Sequence, residues 1–132
     1  MSGYTIVNLK DVENRASEGG PRVEARMARS EIGSDHLGVS YFRWAPGRRS
    51  DRGHAHREQE EVYVVLGGSG EVKLDNVTRE IGQWDVVRVA PATFRGFSAG
   101  PDGLELLAVG SDRPEGGDGV RTDETWWGDE DF

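Results

Sequence analysis

The tripeptide His54-Ala55-His56, with the acidic pair Glu60-Glu61 shortly after it and Gly68 beyond, holds the residue types in this chain best suited to chemistry. Side chains at positions i and i+2 of an extended strand point to one face. Both imidazoles therefore aim at the same spot. A carboxylate on the adjoining run Val62-Tyr63-Val64-Val65-Leu66 can turn back toward it. Two imidazoles and one carboxylate form the donor set of a divalent metal site. The chain has only 3 histidines, and two of them fall in this tripeptide. The plainer description is a pair of polar residues lining a wet pocket. Glu60 and Glu61 compete for the carboxylate role. Glu61 shares strand parity with Tyr63 and Val65, which assigns Glu61 to the histidine face and Glu60 to solvent.

The elements that must position these residues read as short strands. Residues 4–9, 23–29, 38–44, 61–66, 71–74, 85–90, 94–97 and 104–109 are extended or alternate apolar with polar residues. Between them lie turn-forming groups: Glu18-Gly19-Gly20-Pro21, Gly33-Ser34-Asp35, Ala45-Pro46-Gly47, Asp75-Asn76, Ile81-Gly82-Gln83 and Gly100-Pro101-Asp102-Gly103; Gly67-Gly68-Ser69-Gly70 marks a tight turn or a close backbone approach. Strands recurring about every ten residues, with no sustained helical period, predict an all-β sandwich or barrel. Tyr41, Tyr63, Trp84 and Phe97 are expected in the core or on a pocket wall. His36 is expected in a surface loop.

At 132 residues the chain suits one domain. The expected division is a single domain over residues 1–111, with its barrel core at about 38–110, and an acidic, Gly-rich tail over 112–132. The tail holds Asp112, Glu115, Asp118, Asp123, Glu124, Asp129, Glu130 and Asp131 against Arg113 and Arg121. Trp126-Trp127 is the one feature that could dock it. The absence of cysteine excludes disulfides, thiolate zinc sites and cysteine nucleophiles. A net charge of −8 argues against a nucleic-acid partner. No apolar run approaches a membrane span. Met1-Ser2-Gly3-Tyr4-Thr5 lacks the pattern of a secretion signal, so the expectation is a cytoplasmic chain.

The spacing of His54, His56, Glu61 and Gly68 resembles the first motif of the cupin superfamily. Pro46-Gly47 before it and Gly67-Gly68-Ser69-Gly70 after it are similar to the cupin pattern too. Gly82 to Pro91 resembles the start of the second motif. The resemblance covers roughly residues 38–110 and implies a single cupin β-barrel, a double-stranded β-helix of jelly-roll kind. It also implies a homodimer. In metal-binding cupins a third histidine stands four residues after the second-motif proline, and here that position is Arg95. Arginine offers no lone pair and cannot replace it. By parity Arg95 and Phe97 point into the barrel.

Two functions follow from the resemblance. In the first, His54, His56 and Glu61 hold one divalent ion (iron, manganese, nickel or zinc) with open positions. Arg95, Tyr63 and Phe97 then contact a small, anionic substrate, in an oxygenase or isomerase of small-molecule metabolism. In the second, Arg95 pairs with Glu61 and no metal binds. The pocket then belongs to a ligand-binding or sensor module, or to a metal-free sugar isomerase or epimerase with Arg95 as anion anchor. Fold alone does not choose between these.

Overall fold

The computed structural model describes residues 3–128. Eight strands form in chain order: β1 Arg22–Met27, β2 Gly38–Trp44, β3 His54–His56, β4 Glu61–Leu74, β5 Val77–Gly82, β6 Val86–Val89, β7 Arg95–Gly110 and β8 Gly119–Arg121. One helical turn, α1, covers Arg29–Ile32, and a 3-10 turn covers Leu9–Asp11. Every strand pairing is antiparallel, as short strands joined by tight connections allow. The all-β fold expected from the sequence is present.

The long strands β4 and β7 are the spine. They pair from Glu61↔Gly110 to Leu74↔Arg95. The far edge of β4 takes β6 and then β5, while the far edge of β7 takes β2 and then β3. β1 and β8 complete the sheet outside β2 and β3. The sheet curls so that one face closes on Trp44, Tyr63, Val65, Val72, Phe97, Leu104 and Leu106. Removing that apolar surface from water is the main drive to close it.

Several expectations need correcting. At 67–70 the close backbone approach is present rather than the turn, and the group at 100–103, expected as a turn, lies inside a long strand. The register shifts between Val65 and Gly67 and again between Gly68 and Gly70. Such bulges bend the strands sharply without breaking them. Residues 4–8 form no strand, and Ile6 is 87% exposed. The edge of β1 they would need is already taken: Asn14 bonds the backbone of Val23 and Ala25, and the Arg15 N–H donates to the Ala25 carbonyl. Trp84 is not core but 69% exposed. It sits at positive φ in the turn between β5 and β6, where the Gly82 N–H is tied to Asp85. In β1 a bulge after Arg22 reverses the simple alternation. Glu24 is buried instead, held by Lys10, Arg26 and Arg43 at 2.8, 2.9 and 2.7 Å. Tyr41, Tyr63 and Phe97 are buried as expected, and His36 is exposed beside Asp112.

The segment after residue 111 packs against the sheet. β8 pairs with β3 through Ala55↔Val120. The Trp127 indole N–H donates to the Ser50 carbonyl at 2.7 Å. Lys73 donates to the Trp126 carbonyl and lies 4.6 Å over its ring. The acidic residues Asp129, Glu130 and Asp131, and Met1-Ser2 at the other end, lie outside the described residues. Among the described residues no helix is long and apolar enough to cross a membrane.

Gly68 sits at φ +73°, and a Cβ there would run into the Gly103 carbonyl. Gly68→Ala is expected to cost more than about 1 kcal/mol, the usual penalty for a side chain forced to positive φ. Urea denaturation of the variant against Gly82→Ala, where a Cβ meets nothing within 4 Å, checks this. Equal midpoints would refute the bulge argument.

Candidate metal centre

Strand β3 presents both imidazoles on one face, with Ala55 buried on the other. β7 brings Arg95 beside His54 on one side, and β8 brings Arg121 beside it on the other. β4 begins at Glu61, whose side chain turns inward, while Glu60 turns outward and pairs with Arg88 at 2.6 Å. One nitrogen from each of His54 and His56 and one oxygen from Glu61 lie within 4.8 Å of one another. The Glu61 Oε1 atom is 3.1 Å from His56 Nε2 and 3.7 Å from His54 Nε2. Ligand atoms about 2.1 Å from a shared ion stand roughly 3 Å apart, so this triad can close on one ion with small rotations.

Glu61 is crowded with donors. The Tyr63 hydroxyl donates to Oε1 at 2.5 Å, and Arg95 Nη1 stands 3.8 Å away. Burial opposes ionisation of Glu61, yet the hydrogen bonds from His54, His56 and Tyr63 outweigh it and hold its pKa well below the usual range. His54 is pushed down by burial, against the pull of Glu61. His56 is pushed up, first by its hydrogen bond to Glu61 and despite its burial. A proton on His56 Nε2 and a cation between the ligands therefore compete for the same space.

Arg95 is fully buried. Its guanidinium donates to the carbonyls of Ala90 at 3.1 Å and His54 at 3.4 Å, and Nε has no partner. It packs behind the triad. Beyond the triad a cavity of about 710 Å³ opens, walled by Phe42, Trp44, Tyr63, Phe97, His54 and Glu61. Tyr63 and Phe97 thus share the cavity with His54 and Glu61, whereas Arg95 does not reach its wall.

Sequence reasoning missed Asp118. Its carboxylate accepts the His56 Nδ1 hydrogen bond at 2.8 Å and the backbone N–H groups of Glu58 and Gln59, both at 2.9 Å. That contact commits Nδ1 to Asp118 and leaves Nε2 to face the cluster. Asp118 looked like one more charge in a solvated tail, 62 positions from its partner. Only the apolar Val120 two residues on hinted at strand pairing.

A curled antiparallel sheet with two histidines and a glutamate gathered inside it is the cupin arrangement, and this chain has a cupin fold. No family model matches its sequence, and no curated protein does. Among solved structures it is similar to a cupin protein from Bacteroides fragilis at 23% identity and TM-score 0.70, covering 85% of this chain and 86% of that one. A sugar phosphate isomerase of the cupin superfamily from Silicibacter pomeroyi matches at 21% identity and TM-score 0.70, covering 83% and 77%. A variant oxalate decarboxylase from Bacillus subtilis matches at 21% identity and TM-score 0.74, covering 89% of this chain but 33% of that one.

Burial opposes ionisation of Asp118, but its bonds from Glu58, His56 and Gln59 win and lower its pKa from 3.8 to about 2. A depressed carboxylate stabilises the fold above its unfolded pKa and loses that contribution as pH falls through the folded value. Asp118→Ala is expected to destabilise by about 2–4 kcal/mol near neutral pH, because two backbone donors and one imidazole lose their acceptor. The difference from wild type should shrink between pH 3.8 and about 2. Denaturant melts across that range measure it, and a pH-independent gap would contradict the account.

Proposed function

We propose that this protein is a small-molecule-binding cupin that holds one divalent ion, iron, manganese, nickel or zinc, on His54, His56 and Glu61. The observation carrying this reading is the contact of His56 Nδ1 with Asp118. Metal-ligating imidazoles ordinarily give their second N–H to a carboxylate, which fixes the ring and leaves the other nitrogen for the ion. The donor set of two imidazoles and a carboxylate suits all four metals. When bound, the ion supplies Lewis acidity and, for iron, oxygen activation at its open positions.

The chain's own residues do the rest. Tyr63 and Phe97 hold the ligand against the triad, and the Tyr63 hydroxyl carries a proton at Glu61 Oε1. Arg95 acts from behind, fixing the His54 carbonyl and offsetting the Glu61 charge. An oxygenase or isomerase reaction on a small anionic molecule is the class we favour. The likeness to a protein named as a sugar phosphate isomerase supports the second of these.

A metal-free pocket is the second reading, favoured by one observation: Tyr63 at 2.5 Å and Arg95 at 3.8 Å already satisfy Glu61. The positive Arg95 also opposes a cation. The histidines then serve as hydrogen-bonding or acid/base groups in a sensor or an isomerase.

Elemental analysis of protein purified without a histidine tag separates the two. The metal reading expects about one ion per chain and a melting temperature that rises on adding the matching metal. His54→Ala and His56→Ala should abolish both, and Asp118→Asn should weaken metal affinity about 10–100-fold. Absence of stoichiometric metal, with melting unchanged by iron, manganese, nickel or zinc, would sink the metal reading.

A further inference from the structure

The outer part of the cavity carries charge that the triad does not use. Arg22, at the start of β1, and Arg121, at the end of β8, both line it. They come from opposite ends of the chain and are set on the wall by separate strand pairings, Arg22↔Trp44 and His54↔Arg121. Among the described residues neither guanidinium has a hydrogen-bond or ion-pair partner. Both open onto the same space as His54 and Glu61. Arg52 also lines the cavity but is paired with Glu124 at 3.2 Å. The acids of the cavity are Asp51 and Glu61, and Glu61 is already engaged by the triad. Asp51, the one acid outside the triad, offsets Arg22 in part, so the two arginines leave a net positive charge in the outer cavity of a chain whose net charge is −8.

The wall beside them is aromatic. The Arg22 guanidinium lies 5.0 Å over the Phe42 ring and 6.0 Å over Trp44. Trp44 packs 5.5 Å from Phe97, which packs 4.9 Å from Tyr63. The Trp44 indole N–H is buried with no hydrogen-bond partner, an orphan donor on a cavity-lining residue. Buried donors ordinarily find an acceptor, and one left without it marks a place for a ligand or a water.

We infer that Arg22 and Arg121 are the anion-recognising residues of the cavity, and that its ligand is a small ring-bearing acid. The carboxylate or phosphate head would meet the two guanidiniums in the outer cavity while the ring points inward toward His54. Guanidinium forks match both kinds of oxyanion, so the shared chemistry is the anion. This deepens the reading of the cavity as a small-molecule site but does not depend on the metal. It also moves anion binding from the sequence-expected Arg95, which is buried behind His54, to two arginines that face the open space.

Isothermal titration with benzoate, phenyl phosphate and the uncharged benzamide tests the inference, with the protein as purified and after chelation. Either anion is expected to bind at least about tenfold more tightly than benzamide, and their ratio reports the preferred head group. Arg22→Gln with Arg121→Gln should erase that preference about tenfold while leaving melting temperature and metal content unchanged. Arg79→Gln, on β5 and outside the cavity lining, should bind as wild type does. Anions binding no better than benzamide, or the double variant keeping its preference, would overturn the proposal. Anion binding that survives chelation while metal analysis is negative would leave this inference standing and remove only the metal reading.

Discussion

One carboxylate oxygen gathers the interior of this barrel. Glu61 Oε1 is hydrogen-bonded to His56 and Tyr63 and stands 3.7 Å from His54 and 3.8 Å from Arg95, groups drawn from three different strands. A charge taken this far out of water is costly unless each lone pair finds a donor. Here the donors are oversupplied, so the carboxylate stays ionised despite its burial. The arrangement ties β3, β4 and β7 together at one end of the sheet. A cation placed among these groups would have to displace the donated hydrogens and would meet the positive charge of Arg95.

Much of this was legible in the chain because it is local. The i, i+2 spacing of His54 and His56 needs only strand geometry, and the choice of Glu61 over Glu60 needs only parity with Tyr63 and Val65. Parity also foresaw that Arg95 and Phe97 face inward. What escaped was non-local. The glycines at 67–70 and 100–103 carry turn chemistry, yet Gly67, Gly68 and Gly70 pair with Glu105, Leu104 and Ala99, so the strands stay joined on both sides of 100–103 and the apparent breaks become bends. The strand expected at 4–9 failed because Asn14 and Arg15 had claimed the edge it required. Asp118 was hidden by its neighbours: a carboxylate amid acidic, Gly-rich sequence reads as solvated charge until a pairing strand is known to follow it.

Charge is distributed unevenly between the outside and the cavity. The chain is acidic overall, but the cavity wall holds Arg22, Arg52 and Arg121. Low-dielectric walls concentrate the field of such charges. Of these only Arg22 rests on aromatic rings, those of Phe42 and Trp44, which hold its guanidinium at the cavity wall.

The origin of Asp118 has a consequence in time. His54, His56 and Glu61 are close in sequence and are made early, whereas the carboxylate that orients His56 arrives only after β4 to β7 have been synthesised. Chains are made at about 5–20 residues per second, so the carboxylate that sets the ring follows the triad by several seconds. The His56 ring thus owes its orientation to a segment made last, which takes its place only by pairing with β3.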